Sequence, residues 1–260
     1  MAVNLLALAI VLLPAAGSVC GLTGPPSAAT TWIFNVYDPR AVLWQDPDTT
    51  ACTAASTAMM LNMGVIRTDE GAASPRSRGD APLRWRLDTT YAQQESILAY
   101  SRANMTMRPT SAGTDPHGWR NALNYYGWGS VDAGVYRDSS YSSFDAAAKA
   151  FVVSLARYGR PVGVLSRAGR HSQVITGYMV MGGDPRLGDG FTVVGVYVTD
   201  PLRSDAMRNT WVSSHNWKSG PTSAAFTPYR ETDSPFVDAI DGRVGTTEWY
   251  GEWVVIDAVR

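Results

Sequence analysis

Cys52 is the residue in this chain with the best local reason to be reactive. The stretch 44–64, WQDPDTTACTAASTAMMLNMG, sets a Gln, then a turn-rich segment, then a Cys that opens a helix. Asp46-Pro47-Asp48 is turn chemistry, and Thr49 or Thr50 is a competent helix cap. Residues 51–63 contain no Gly or Pro and are rich in Ala, Met and Leu, so they favour a helix, and Gly64 is its expected stop. Cys52 is therefore expected in the first helical turn. There the unpaired N–H groups and the helix dipole favour negative charge and lower a thiol's pKa. Gln45 lies across the turn, placed to aim its side-chain amide at the same point. A Gln amide and the Cys52 N–H together would make an oxyanion hole. The competing reading is a small Cys buried on an apolar helix face.

A thiolate nucleophile needs a base, and the chain has three His residues. His117 follows Asp115-Pro116 at a helix start, where capping or surface placement accounts for it. His215 lies in a polar Ser-Ser-His-Asn segment and is expected to be exposed. His171 stands where a Gly-Arg turn enters a strong strand, GRHSQVITGY, a rigid place for a general base. Asp200 ends another strand, VYVTDP. It serves either as turn chemistry or as the group that accepts a hydrogen bond from one imidazole nitrogen and fixes the tautomer. Two adjacent antiparallel strands would bring His171 and Asp200 to one sheet edge, and a helix-borne Cys facing that edge completes nucleophile, base and orienting group. No close His pair, no carboxylate–His spacing of the known kinds, no Gly-rich phosphate loop and no Gly-x-Ser-x-Gly occur, so neither metal nor organic cofactor is expected.

The elements that must position these residues are helical first and extended later. An apolar, aromatic run at 31–37 reads as a short strand. Residues 68–82 read as an exposed loop, and the Arg-Gly-Asp at 78–80 as chance. Helices are expected within 90–103, from Asp115-Pro116 to Gly127, and at 144–158, where Ala147, Phe151, Leu155 and Tyr158 share a face and Gly159 and Pro161 end the run. Strands are expected at 162–166, 172–181, 192–199 and 249–259, with turns at 167–170 and 182–190. Residues 202–237 show little period and read as irregular structure over a cleft. Helices followed by strands argue an α+β fold in one domain spanning 32–260.

Composition bounds the partners. The 260 residues carry 45% hydrophobic and 17% charged side chains with a formal net charge of −1, so no electrostatic case exists for nucleic acid or an anionic membrane. Residues 1–20 hold an apolar run at 2–16 of signal-peptide length, without a basic n-region, and 21–31 read as a linker. Secretion or surface display is expected, with the membrane touched only through this N-terminal signal or a lipid anchor at Cys20. Removal of the segment would leave Cys52 as the one thiol, which cannot form an internal disulfide.

Together these motifs resemble the C39-like branch of papain-like cysteine peptidases. That family has a Gln ahead of a helix of the form Cys-Gly-Pro-Ala-Ser-x-Ala-Met-x-Leu. The counterpart here is Gln45, then Cys52-Thr53-Ala54-Ala55-Ser56-Thr57-Ala58-Met59-Met60-Leu61. A strand of the form His-x-Val-Val-x-Gly-Tyr corresponds to His171-Ser172-Gln173-Val174-Ile175-Thr176-Gly177-Tyr178, and Val-x-Asp-Pro to Val198-Thr199-Asp200-Pro201. The resemblance implies a papain-like fold and a secreted peptidase cutting peptide or protein substrates. In it Cys52 is nucleophile, His171 base, Asp200 orienting group and Gln45 oxyanion donor. Two positions depart from the family: Thr53 replaces the usual Gly, and Ala51 the usual Asp or Asn. The departures motivate a second reading, a catalytically inactive surface-binding protein, as does the aromatic-rich region 211–253. An amidase or acyltransferase acting on cell-wall peptides would use the same residues.

Overall fold

The computed structural model describes residues 29–45, 51–69, 83–88, 90–106, 108–109, 113–202, 207–219, 225–230, 236–237 and 248–260. The expected signal segment, most of the 21–31 linker, the 46–50 turn and cap, and residues 70–82 of the expected loop lie outside them.

In chain order the elements are β1 (Thr31–Asn35), α1 (Cys52–Asp69), α2 (Ala92–Ala103), β2 (Arg108–Pro109), α3 (Pro116–Trp128), β3 (Tyr136–Tyr141), α4 (Phe144–Tyr158), β4 (Val162–Ser166), β5 (His171–Gly182), β6 (Phe191–Thr199), β7 (Thr210–Ser213), α5 (Ser214–Ser219), β8 (Phe236–Val237) and β9 (Trp253–Ala258). The fold is α+β. A seven-stranded antiparallel sheet runs β3-β9-β4-β5-β6-β7, with β1 also paired to β5, and β2 and β8 form a separate pair. No helix among the described residues is long and apolar enough to cross a membrane.

Strand alternation divides the core in two. On one face Leu165 and Val174 pack with Ala54, Ala58, Trp119 and Leu123 of α1 and α3. On the other, Val162, Val164 and Ile175 pack with Phe151, Val152 and Leu155 of α4. Gly163 turns its α-carbon to the first face, where a Cβ would come within 2.5 Å of the Trp119 ring, so α3 can lie close against β4. The helix ends are chemically marked. Asp115 Oδ1 accepts from the Gly118 N–H at 2.7 Å and Ser143 Oγ from the Ala146 N–H at 3.1 Å, each relieving an orphan donor. Gly159, with φ of 60°, closes α4 in the left-handed conformation that favours glycine.

Several expectations are corrected. α1 does not stop at Gly64 but continues to Asp69. A mid-helix Gly costs about 1 kcal/mol against Ala, and here it lies closely against Leu83, where a Cβ would come within 3.2 Å of Cδ2. β3, YRDSSY, has no apolar alternation, yet it pairs residue for residue with β9 from Tyr136↔Ala258 to Tyr141↔Trp253. Tertiary pairing here overrides propensity. β9 starts at Trp253, later than the expected 249, because 248–251 form a turn. Part of 202–237 is regular: β7 pairs with β6, and α5 is held by buried Trp217, stacked on Phe226 at 4.8 Å. Trp217, Phe226, Tyr229 and Trp249 of the aromatic-rich region are thus core, whereas Trp211 and Tyr250 are exposed.

α1 is the centre of the molecule. Its residues 53–63 are all buried, as expected of a helix apolar all round. Its one amide, Asn62, uses both ends. Nδ2 donates to the Asp88 carbonyl at 2.6 Å and the Ala41 carbonyl at 3.2 Å, while Oδ1 accepts from Trp85 Nε1 at 2.8 Å and the Asp88 N–H at 3.0 Å. Asn62 so ties the two flanking loops to the helix. Asn62→Leu strands these buried donors and should lower unfolding stability by about 2–4 kcal/mol. Urea unfolding followed by circular dichroism measures it.

Candidate active site

Cys52 is the first residue of α1, and no acidic residue shares the first turn. Across residues 51–63 Cys52 alone reaches solvent, and every other residue is buried. Thr53 is buried, with its hydroxyl unpartnered among the described residues and its carbonyl accepting from Thr57 Oγ1 at 2.8 Å. Its side chain is enclosed, whereas Cys52 beside it is half-buried.

The base and its orienting group come from paired strands. The β5–β6 register sets Val174 opposite Thr199, which brings Gln173 level with Asp200. Alternation puts His171 on the same face as Gln173, two residues away. His171 Nε2 donates to Asp200 Oδ1 at 2.8 Å, and Gln173 Nε2 donates to Asp200 Oδ2 at 2.9 Å. The Leu202 N–H adds a third donor to Oδ1 at 2.8 Å. Asp200's own N–H donates to the Met207 carbonyl at 2.9 Å, which pins the turn. With Nε2 committed, Nδ1 is the ring nitrogen left for the hydrogen bond between His171 and Cys52. Ser172, on the opposite face, gives the Cys52 sulfur a hydroxyl and an N–H donor, and its Oγ lies 3.0 Å from Ser56 Oγ of α1.

Electrostatics follow from this geometry. Burial alone would raise the Cys52 thiol, but the hydrogen bond and charge of His171 and the two Ser172 donors outweigh it and hold the thiol below its ordinary value. Burial works to lower His171, yet the hydrogen bonds to Asp200 and Cys52 push it up to about 9. Asp200 is also raised by burial and more strongly lowered by His171, Gln173 and the Leu202 N–H. These shifts all favour a thiolate–imidazolium pair backed by a carboxylate.

The turn that delivers His171 is strained. Arg167 and Ala168 have φ of 51° and 58°, and Gly169 follows at 92°. Residues in this region cost about 1–3 kcal/mol each when they carry a Cβ. Neighbours over-determine the turn: the Ala168 N–H donates to Thr227 Oγ1 at 2.9 Å and its carbonyl accepts from the Arg230 N–H at 3.2 Å. The Tyr229 ring lies so close under Gly169 that a Cβ there would come within 2.4 Å of it.

The structure thus joins Cys52, His171 and Asp200 in one hydrogen-bonded chain. Gln45 reaches the same corner through its main chain, its N–H donating to the Pro201 carbonyl at 2.7 Å. His215 is exposed on α5, as expected. His117 is not the cap of α3, which is Asp115; it is half-buried between carboxylates. Sequence reasoning missed Gln173, Ser172 and Ser56. The available signal was Gln173 itself, a polar residue two positions from the His inside an otherwise apolar strand. Comparisons with family models, curated proteins and solved structures found no match. The class that fold and site define is an α+β protein with a helix-borne Cys paired to a strand-borne His and Asp.

With His171 protonated up to about 9 and the Cys52 thiol held below its ordinary value, Cys52 is expected to ionise at lower pH than a free thiol. Iodoacetamide should therefore alkylate Cys52 at pH 6 at least about tenfold faster than in His171→Ala, one unit of thiol shift being a factor of ten. Equal rates at pH 6 would remove the ion pair.

Proposed function

We propose that this protein is a cysteine peptidase of the C39-like, papain-like kind, acting outside the cytoplasm. The observation that carries the reading is the solvent-reaching Cys52 at a helix start, hydrogen-bonded to a His171 that Asp200 holds protonated. An inactive binding protein has no need of a depressed thiol or of three donors on the orienting carboxylate. The motif order Gln45, Cys52, His171, Asp200 supports the family, and the apolar segment at 2–16 supports the location.

The chemistry proceeds in two halves. The Cys52 thiolate attacks the scissile carbonyl carbon, forming a C–S bond and placing negative charge on the carbonyl oxygen. The Cys52 N–H and the Gln45 amide stabilise that oxyanion. As the tetrahedral species collapses, His171 gives its Nδ1 proton to the departing amine, and the C–N bond breaks. Water then loses a proton to the neutral His171 and attacks the thioester, releasing the acid and restoring the thiolate–imidazolium pair. Asp200 keeps Nε2–H bound throughout, so the ring presents Nδ1 at each step.

The test is digestion of a proteome-derived peptide library by the protein, with Cys52→Ala as control. New peptide termini are expected with the parent and none with the variant, whose circular dichroism should be unchanged. A thiol-reactive peptidase probe should label the parent alone. Cleavage or labelling that persists in Cys52→Ala would overturn the reading.

A further inference from the structure

A second titratable cluster lies apart from Cys52. His117 at the start of α3, Asp138 on β3 and Glu248 in the turn before β9 bring their ligand atoms within 4.8 Å of one another. His117 Nε2 is 3.2 Å from Asp138 Oδ2 and 3.0 Å from Glu248 Oε1. One ring nitrogen carries at most one proton, so it cannot serve two carboxylates well. The other nitrogen is already engaged: Nδ1 lies 2.5 Å from Thr106 Oγ1. When that hydroxyl accepts from Nδ1–H, Nε2 is a bare lone pair facing two carboxylate oxygens, which is a donor set for a cation.

We infer that His117, Asp138 and Glu248 form a binding site for one divalent zinc-class cation. An imidazole nitrogen with two carboxylate oxygens suits zinc better than calcium or magnesium. Zinc–ligand bonds near 2.1 Å set tetrahedral ligand atoms roughly 3.4 Å apart, so the His–carboxylate separations of 3.0 and 3.2 Å need only a small outward shift, and the two carboxylate oxygens, within 4.8 Å of each other, close on the ion. The surroundings are those of a supported site. Asp138 divides its oxygens: Oδ1 pairs with Arg120 Nη1 at 2.9 Å, and Oδ2 is left to the cluster. The Thr106 hydroxyl fixes the His117 ring, and Thr106 is itself anchored by its N–H on Asp115 Oδ2 at 2.8 Å. Trp249 packs edge-on against the imidazole at 4.7 Å. The Asp138 side chain is buried while that of Glu248 is 59% exposed, so the site opens to solvent on the glutamate side and takes water as a remaining ligand. The bound ion ties the start of β9 to α3 and β3. It acts as a brace and stands outside the Cys52 chemistry.

Zinc titration by calorimetry tests this, on the full-length chain carrying both Cys20→Ala and Cys52→Ala so that no thiol competes for the metal. The expected result is saturable binding of one zinc per chain, weakened at least tenfold by His117→Ala and by Glu248→Gln. Glu248 is exposed, so its Gln variant should keep the native circular dichroism spectrum and metal-free melting temperature while losing the zinc-dependent rise in melting temperature. No saturable binding, or binding unchanged in Glu248→Gln, would overturn the site. Because the assay uses a background without the thiol, its outcome is independent of the peptidase reading.

Discussion

The buried Asp200 carboxylate is the charge on which the candidate site depends. A carboxylate removed from water without partners is costly, and this one, 4% exposed, is met by His171, Gln173 and the Leu202 N–H. Its negative charge favours the protonated imidazole, and the imidazolium in turn favours the ionised Cys52 sulfur. The three charges alternate along one hydrogen-bonded chain, so each partner makes the next state affordable in a low-dielectric setting. Direction matters as much as charge. Because Asp200 takes Nε2, the ring can offer the sulfur only Nδ1.

That chain needs three backbone segments held in register. The β5–β6 pairing sets Gln173 level with Asp200, and a slip of one residue would put His171 on the other face. The strained turn at 167–169 aims the start of β5, and the segment 225–230 holds it with hydrogen bonds and the Tyr229 ring. α1 supplies the third anchor. With residues 53–63 enclosed and Asn62 bonded to both flanking loops, the helix has little freedom to slide, so its one solvent-reaching residue stays at the sheet edge.

Much of this was legible in the chain because it is local. The helix at 144–158 follows from its apolar face, Gly159 and Pro161, and its limits match. His171 and Asp200 were placed by strand ends and Cys52 by a helix start, and the structure brings the three together. What escaped was non-local. β3 is a strand because β9 lies beside it, and nothing in YRDSSY announces this. Gly64 looks like a stop until Leu83 is seen against it. The 225–230 segment has no period because its role is to hold a neighbouring turn. His117 reads as a lone residue at a helix start, and its carboxylate neighbours come from 21 and 131 positions away in the chain.

The two imidazole clusters differ in a count of protons. At His171 each ring nitrogen has one acceptor, a carboxylate oxygen or a thiolate sulfur, and the imidazolium has two N–H groups to give. Donors and acceptors balance, and moving the Nδ1 proton changes which neighbour is ionised. That is the condition for acid–base chemistry. At His117 one nitrogen meets a hydroxyl and the other meets two carboxylates. Arg120 lies in ion-pair contact with one oxygen of Asp138, and lone pairs still outnumber protons at Nε2. A proton can bridge only one of those contacts at a time, whereas a cation of charge two bridges all three. The same side-chain type is therefore set to carry a proton at one site and to hold a metal at the other, by the number of acceptors the fold brings to a single nitrogen.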